Sequence, residues 1–160
     1  MSAQAILQLA RIKGVMIATA ESCTGGMVAA ALTDLPGSSA IFDRGFVTYT
    51  NAAKMDMLGV SAESLRDFGA VSEQVAMEMA NGARAASQAQ IAVAITGIAG
   101  PGGSDHKPEG RVCFAITSAK FDTVAETIEF GAQGRDAVRQ AARDHALKLI
   151  LDRLNEYQDA

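Results

Sequence analysis

The chain has 160 residues, nearly half of them apolar, and a formal net charge of −4; that is enough for one domain with an ordinary core and too little for two. No Lys/Arg-rich run supplies the basic stripe of a nucleic-acid binder; two cysteines are too few for a disulfide framework and are not spaced as metal ligands, and two histidines far apart in sequence form no HxxxH-type pair, so a His/Cys metal site is not expected. The N-terminus lacks the layout of a secretory signal and no apolar run approaches membrane-spanning length, so a cytoplasmic single domain over residues 1–160 is expected, with no nucleic-acid or membrane partner.

Residues 2–13 predict a helix that Ser2 can cap and Gly14 stops. The apolar run 15–20 suits a strand buried on both faces. ESCTGG (21–26) turns the chain, and Gly26 to Thr33 should be helical. A second strand is expected near 45–50, followed by a helix through NAAKMDMLGV (51–60). Ser61 and Ser72 both resemble N-caps with a Glu close behind, the second opening a long helix through Ala76, Met79, Ala80 and Ala83. Residues 91–96 form another buried strand, and the Gly/Pro-rich stretch 97–110 is a loop. Segments 111–118 and 123–130 pair as a hairpin. Gly134 precedes a final helix carrying Ala137, Val138, Ala141, Leu147, Ile150, Leu151 and Leu154. The alternation predicts a three-layer α/β/α domain on a mixed, mostly parallel five-stranded sheet.

Four segments carry candidate chemistry. The first is Glu21-Ser22-Cys23-Thr24-Gly25-Gly26, at the C-terminal end of a buried strand where ligands bind in open α/β sheets. A helix N-terminus there offers N–H groups to an anion or oxyanion, and Gly25 and Gly26 allow close approach to backbone. Ser22 or Thr24 could equally be no more than a cap. A serine nucleophile needs a base, and the second segment, Thr48 to Lys54, supplies one: a lysine among Ala52, Ala53, Met55 and Met57 loses solvation and holds its proton less tightly. Tyr49 is placed to relay or orient that proton. A solvated helix lysine and a strand aromatic remain the alternative there.

The third segment, Thr96-Gly97-Ile98-Ala99-Gly100-Pro101-Gly102-Gly103, follows a buried strand with the backbone freedom of a phosphate-cradling loop, yet matches neither a Walker loop nor a dinucleotide fingerprint. The fourth places Arg135 in the first turn of the last helix, where a cation is unfavourable unless it serves an anion or carboxylate, with Arg139 one turn on along the same face; ordinary surface arginines fit both positions as well. Cys23 reads as buried and inert, because Glu21 is its sole nearby base candidate. His106 and His145 are expected to face solvent.

Together, ESCTGG (21–26), VTYTNAAK (47–54), GAVSEQVAMEMA (69–80), TGIAGPGG (96–103), KPEG (107–110) and GRDAVR (134–139) resemble the CinA C-terminal family, the nicotinamide-nucleotide amidases, in family order and over almost the whole chain. The resemblance implies a three-layer α/β/α fold and hydrolysis of nicotinamide mononucleotide to nicotinate mononucleotide and ammonia, in pyridine-nucleotide salvage. It places the family's serine on Ser22, its lysine on Lys54, its tyrosine on Tyr49, its loop threonine on Thr96 and its late arginine on Arg135. Substrate contacts are expected from Thr24, Gly25, Gly26, Thr96, Gly97, Gly100 and Arg135, with the oxyanion held around Thr24–Gly26. No metal or cofactor is implied, and a homodimer or larger homo-oligomer is. Many relatives carry a further N-terminal domain, whose activity is not expected here. The sequence departs from the family pattern at Ser104, Asp105, His106, Glu109 and Arg111, and has Gly134 where Asp or Asn usually precedes the arginine. Two rival readings remain: a serine amidase or esterase acting on another small phosphorylated amide, and a phosphate-binding module without turnover.

Overall fold

A computed structural model of the chain describes residues 2–104 and 106–158. In chain order the elements are α1 (Ser2–Lys13), β1 (Ile17–Glu21), α2 (Met27–Thr33), a 3-10 turn (Ser38–Ala40), β2 (Phe42–Val47), α3 (Asn51–Leu58), α4 (Ala62–Phe68), α5 (Glu73–Ala85), β3 (Ile91–Gly97), β4 (Arg111–Ser118), β5 (Val124–Glu129) and α6 (Arg135–Glu156). The sheet order is β2-β1-β3-β4-β5. β1 runs parallel to β2 and β3, while β4 is antiparallel to both β3 and β5. Only β4 therefore opposes the common direction, which is the mixed, mostly parallel sheet the alternation predicts.

Two apolar clusters sandwich this sheet because successive side chains leave a strand on opposite faces. Ile91, Val93 and Ile95 of β3 and Val112, Phe114 and Ile116 of β4 join α1, α2 and α6 in one cluster. Ala92, Ala94, Cys113 and Ala115 face the other way, toward Val75, Ala76, Met79, Ala80 and Ala83 of α5. Alanines on both sides let α5 lie close to the sheet. α3 then packs on α5 at Gly82, where a Cβ would lie 2.0 Å from the Leu58 carbonyl oxygen. That close approach seats α3, and with it Lys54, against the body of the fold.

Both serine caps form: Ser61 accepts from the Ser64 amide and Ser72 from the Val75 amide. β1 starts two residues later than expected, because the Val15 amide still closes α1 by donating to Ala10 O at 3.0 Å. β2 ends at Val47, and Thr50, expected in the strand, instead caps α3 by accepting from the Ala53 amide. In α6 the buried stripe is Val138, Ala142, Ala146, Ile150 and Leu154, strictly four residues apart. Ala137 therefore points to solvent and Ala141 and Leu151 are half-buried. His145, expected to face solvent, is half-buried as well. Its ring sits edge-on to Phe114 with centroids 4.5 Å apart, and Nε2 lies 2.5 Å from a Glu126 carboxylate oxygen on β5. His106 is exposed. No helix among the described residues is long and apolar enough to cross a membrane.

Candidate active site

The turn between β1 and α2 starts where the Ser22 amide donates to Ile95 O of β3 at 3.0 Å. Gly25 (φ +55°) and Gly26 (φ +105°) then carry the chain through left-handed backbone that a side chain would strain. The fully buried Glu21 carboxylate organises the turn from within. One oxygen accepts from the Thr24 hydroxyl (2.7 Å), the Gly26 amide (3.2 Å) and the Val28 amide (3.0 Å), and the other from the Ala29 amide (3.0 Å). The partial positive charge of the α2 N-terminus is thus met by a carboxylate of the protein itself. Arg139 of α6 holds the same turn from outside, its Nε donating to Cys23 O at 3.0 Å and its Nη2 to Thr24 O at 3.5 Å.

Opposite the turn, α3 delivers Lys54, of which only 2% is exposed. Its Nζ lies 3.1 Å from Ser22 Oγ and donates to Thr48 O at 2.9 Å. Burial disfavours the ammonium and lowers its pKa below the ordinary lysine value of 10.5, although Ala52, Met55 and Met57, expected to desolvate it, are themselves exposed. The adjacent Cys23 thiol is buried and moves the other way, up to about 11, again chiefly through desolvation. The pair next to Ser22 is an amine that holds its proton less tightly than an ordinary lysine and a thiol that holds its own more tightly than an ordinary cysteine.

Ser22, Tyr49, Lys54, Thr96, Gly97 and Arg135 share one cavity of about 190 Å³. Six of the ten residues anticipated from the sequence thus converge. The other four lie outside its lining. Thr24 is fully buried with its hydroxyl on Glu21, Gly25 donates its amide to Ser22 O at 3.0 Å, and Gly26 donates to Glu21. Gly100 contributes its carbonyl to Arg135. Of the amides expected to hold an oxyanion, those of Gly25 and Gly26 are therefore already engaged. Of the turn's amides, that of Cys23 lies against its own thiol, and that of Thr24 meets no acceptor among the described residues. Among the described residues Arg135 pairs with no carboxylate. It donates to Gly100 O and to the Tyr49 hydroxyl, each at 2.7 Å, and so ties the glycine loop to the segment after β2. Tyr49 stands at the rim, 57% exposed, with its oxygen occupied by Arg135. Thr96 donates its hydroxyl to Ala70 O at 2.9 Å.

A sequence model of the CinA C-terminal domain matches residues 1–154. The chain belongs to that family. The nicotinamide-nucleotide amidohydrolase PncC of Escherichia coli K12 is 51% identical over 144 residues, 89% of this chain and 87% of that protein. A CinA-like protein of Syntrophobacter fumaroxidans is 50% identical over 88% of this chain, a stretch that makes up 33% of that relative. Solved structures of the same superfamily share the fold. The competence/damage inducible protein CihA of Agrobacterium tumefaciens has a TM-score of 0.92 at 50% identity, over 96% of this chain and 93% of its own. The competence damage-inducible protein A of Klebsiella pneumoniae has a TM-score of 0.93 at 37% identity, over 98% and 97%.

The departures from the family pattern now have positions. Ser104 pairs with Lys107 through the backbone, and Glu109 accepts from the Gly102 amide at 2.5 Å. Arg111 pairs with Glu129 at 2.6 Å across β4 and β5, and Asp105 lies outside the described residues. The side chains of Ser104, His106, Glu109 and Arg111 do not line the cavity. Gly134 (φ +99°) precedes α6 without the side-chain cap that Asp or Asn would offer. Several residues of the site escaped sequence reasoning: Asn51 in the lining, Thr48 as acceptor for Lys54, and Glu21 and Arg139 as holders of the serine turn. Glu21 had a signal, being a carboxylate inside an apolar strand.

Proposed function

We propose that this chain hydrolyses the carboxamide of nicotinamide mononucleotide, with Ser22 as nucleophile and Lys54 as its base. The observation that carries the mechanism is the buried Lys54 amine 3.1 Å from Ser22 Oγ. The naming of a 51%-identical relative as a nicotinamide-nucleotide amidohydrolase supports the substrate.

Neutral Lys54 keeps an N–H on Thr48 O and turns its lone pair to the serine proton. Ser22 Oγ bonds to the amide carbon as that proton passes to Nζ. The oxyanion accepts from the turn amides at Cys23 and Thr24, the latter being one of the Thr24–Gly26 donors first expected. Collapse breaks the C–N bond, with the proton on Nζ passing to the departing nitrogen, and ammonia leaves. A water then attacks the nicotinoyl ester, giving its proton to Lys54, which returns it to Ser22 Oγ. Tyr49 and Arg135 form the rim over which the substrate enters, and the Tyr49 oxygen, which accepts from Arg135, keeps its own O–H to orient or relay the proton.

The cavity's size, about 190 Å³, suits a pyridine carboxamide and leaves the ribose phosphate outside it. Binding energy from that outer part can then be spent on positioning the amide. The test is ammonia release by the purified chain. Nicotinamide mononucleotide should be deamidated and free nicotinamide far more slowly; equal rates on the two, or none on the nucleotide, reject the reading.

A further inference from the structure

The wall of the cavity at Ala70 and Val71 belongs to a segment that is neither helix nor strand, between the ends of α4 and α5. Its four carbonyls from Phe68 to Val71 are all held by side-chain donors. Gly69 O accepts from the Ser72 hydroxyl at 2.8 Å and Ala70 O from the Thr96 hydroxyl at 2.9 Å. The remaining two, Phe68 O and Val71 O, share one donor: the Lys107 ammonium, at 2.6 and 2.5 Å. Lys107 reaches them from the far side, where a larger recess of about 480 Å³ backs onto the same Ala70 and Val71. The wall is a thin partition, pinned by Thr96 from within and by Lys107 from behind.

The sequence makes room for this arrangement. Gly69 adopts φ +79°, and a Cβ there would come within 3.0 Å of Lys107 Nζ. Lys107 is itself held by backbone bonds with Ser104 at 2.9 and 3.3 Å. Charge-assisted bonds to two carbonyls three residues apart are stronger than neutral ones and fix the segment's curvature. No carboxylate pairs with this ammonium among the described residues, so its charge is directed at the partition.

We propose that Lys107 is a positioning residue for substrate binding, holding the Phe68–Val71 partition in the shape against which the substrate's ring packs. The proposal rests on the amidase reading above for its substrate. A wall touches ring and transition state alike, so loosening it weakens binding uniformly and raises KM while leaving kcat.

The experiment is steady-state kinetics of Lys107→Met and Lys107→Arg on nicotinamide mononucleotide. Lys107→Met should raise KM about tenfold with kcat within about threefold, and Lys107→Arg, which keeps several donors, should recover most of the loss. A KM within about threefold of wild type in Lys107→Met overturns the proposal, whatever kcat does. Should that variant not fold, Lys107→Gln retains a neutral donor; an elevated KM supports the clamp and a wild-type KM refutes it. Hydrogen exchange over residues 68–72 keeps the clamp separable from the substrate assignment. If wild type releases no ammonia from the nucleotide, faster exchange in the variant than in wild type still supports the pinned partition, and identical exchange removes it.

Discussion

Lys54 and Cys23 flank the same hydroxyl and are shifted in opposite directions by the same cause, burial. For the lysine the charged form is penalised, so its pKa falls; for the cysteine the thiolate is penalised, so its pKa rises to about 11. As the proposed base, Lys54 acts as the neutral amine, so kcat/KM should rise with pH through its lowered pKa and fall toward acid. A pH–rate profile that is flat or declines from acid to neutral would contradict the assignment. Stability carries the same sign. The unfolded chain holds this proton more tightly than the folded one, so folding gains as pH rises from the lowered pKa toward 10.5. The nucleophile is settled by a paired comparison. Ser22→Ala should abolish turnover with its circular dichroism unchanged, whereas Cys23→Ala should keep most activity. The reverse pattern would move the nucleophile to sulfur.

Among the elements, β1, β3 and α5 were legible as such, because buried runs and capped amphipathic helices leave periodic marks. The ends of β1 and β2 were less so, since the Val15 amide and the Thr50 side chain are committed to helix closure and capping. The α2 N-terminus shows a deeper limit. Its position followed from Gly25 and Gly26, but its donors were read as open to substrate, because nothing in the pattern says where a carboxylate at a strand's end will point. Glu21 folds over the turn and takes four donors. Glu21→Gln sets an amide NH2 against one of them and should cost about 1–3 kcal/mol, the penalty of a buried unsatisfied donor. Chemical denaturation measures it. Activity per folded molecule should drop as well, because the displaced turn carries Ser22; a variant as stable and active as wild type would show the carboxylate to be dispensable.

At the scale of the molecule, the sheet gathers the chemistry at one end. Ser22 and Thr96 lie at the ends of the parallel neighbours β1 and β3, and Lys54 and Tyr49 follow β2, which pairs with β1 on its other side. Six anticipated residues meeting in one cavity follows from that topology. Conversely, the two histidines and two cysteines are dispersed by it. His106 is exposed on the long loop, His145 is held by Glu126 and Phe114, Cys23 is buried at the serine turn, and Cys113 is buried on the α5 face of the sheet. Among the described residues no group of three or more His, Cys, Asp or Glu side chains is placed to hold a metal ion. The carboxylate nearest the site, Glu21, already accepts four hydrogen bonds at the serine turn. In the proposed mechanism a desolvated amine activates the Ser22 hydroxyl, where a metal enzyme would activate a bound water. Ammonia release should therefore survive exhaustive EDTA treatment followed by desalting, with kcat within about twofold of the untreated enzyme. Activity that is lost and then restored by a divalent cation alone would mean that the ion, and not Lys54, generates the nucleophile.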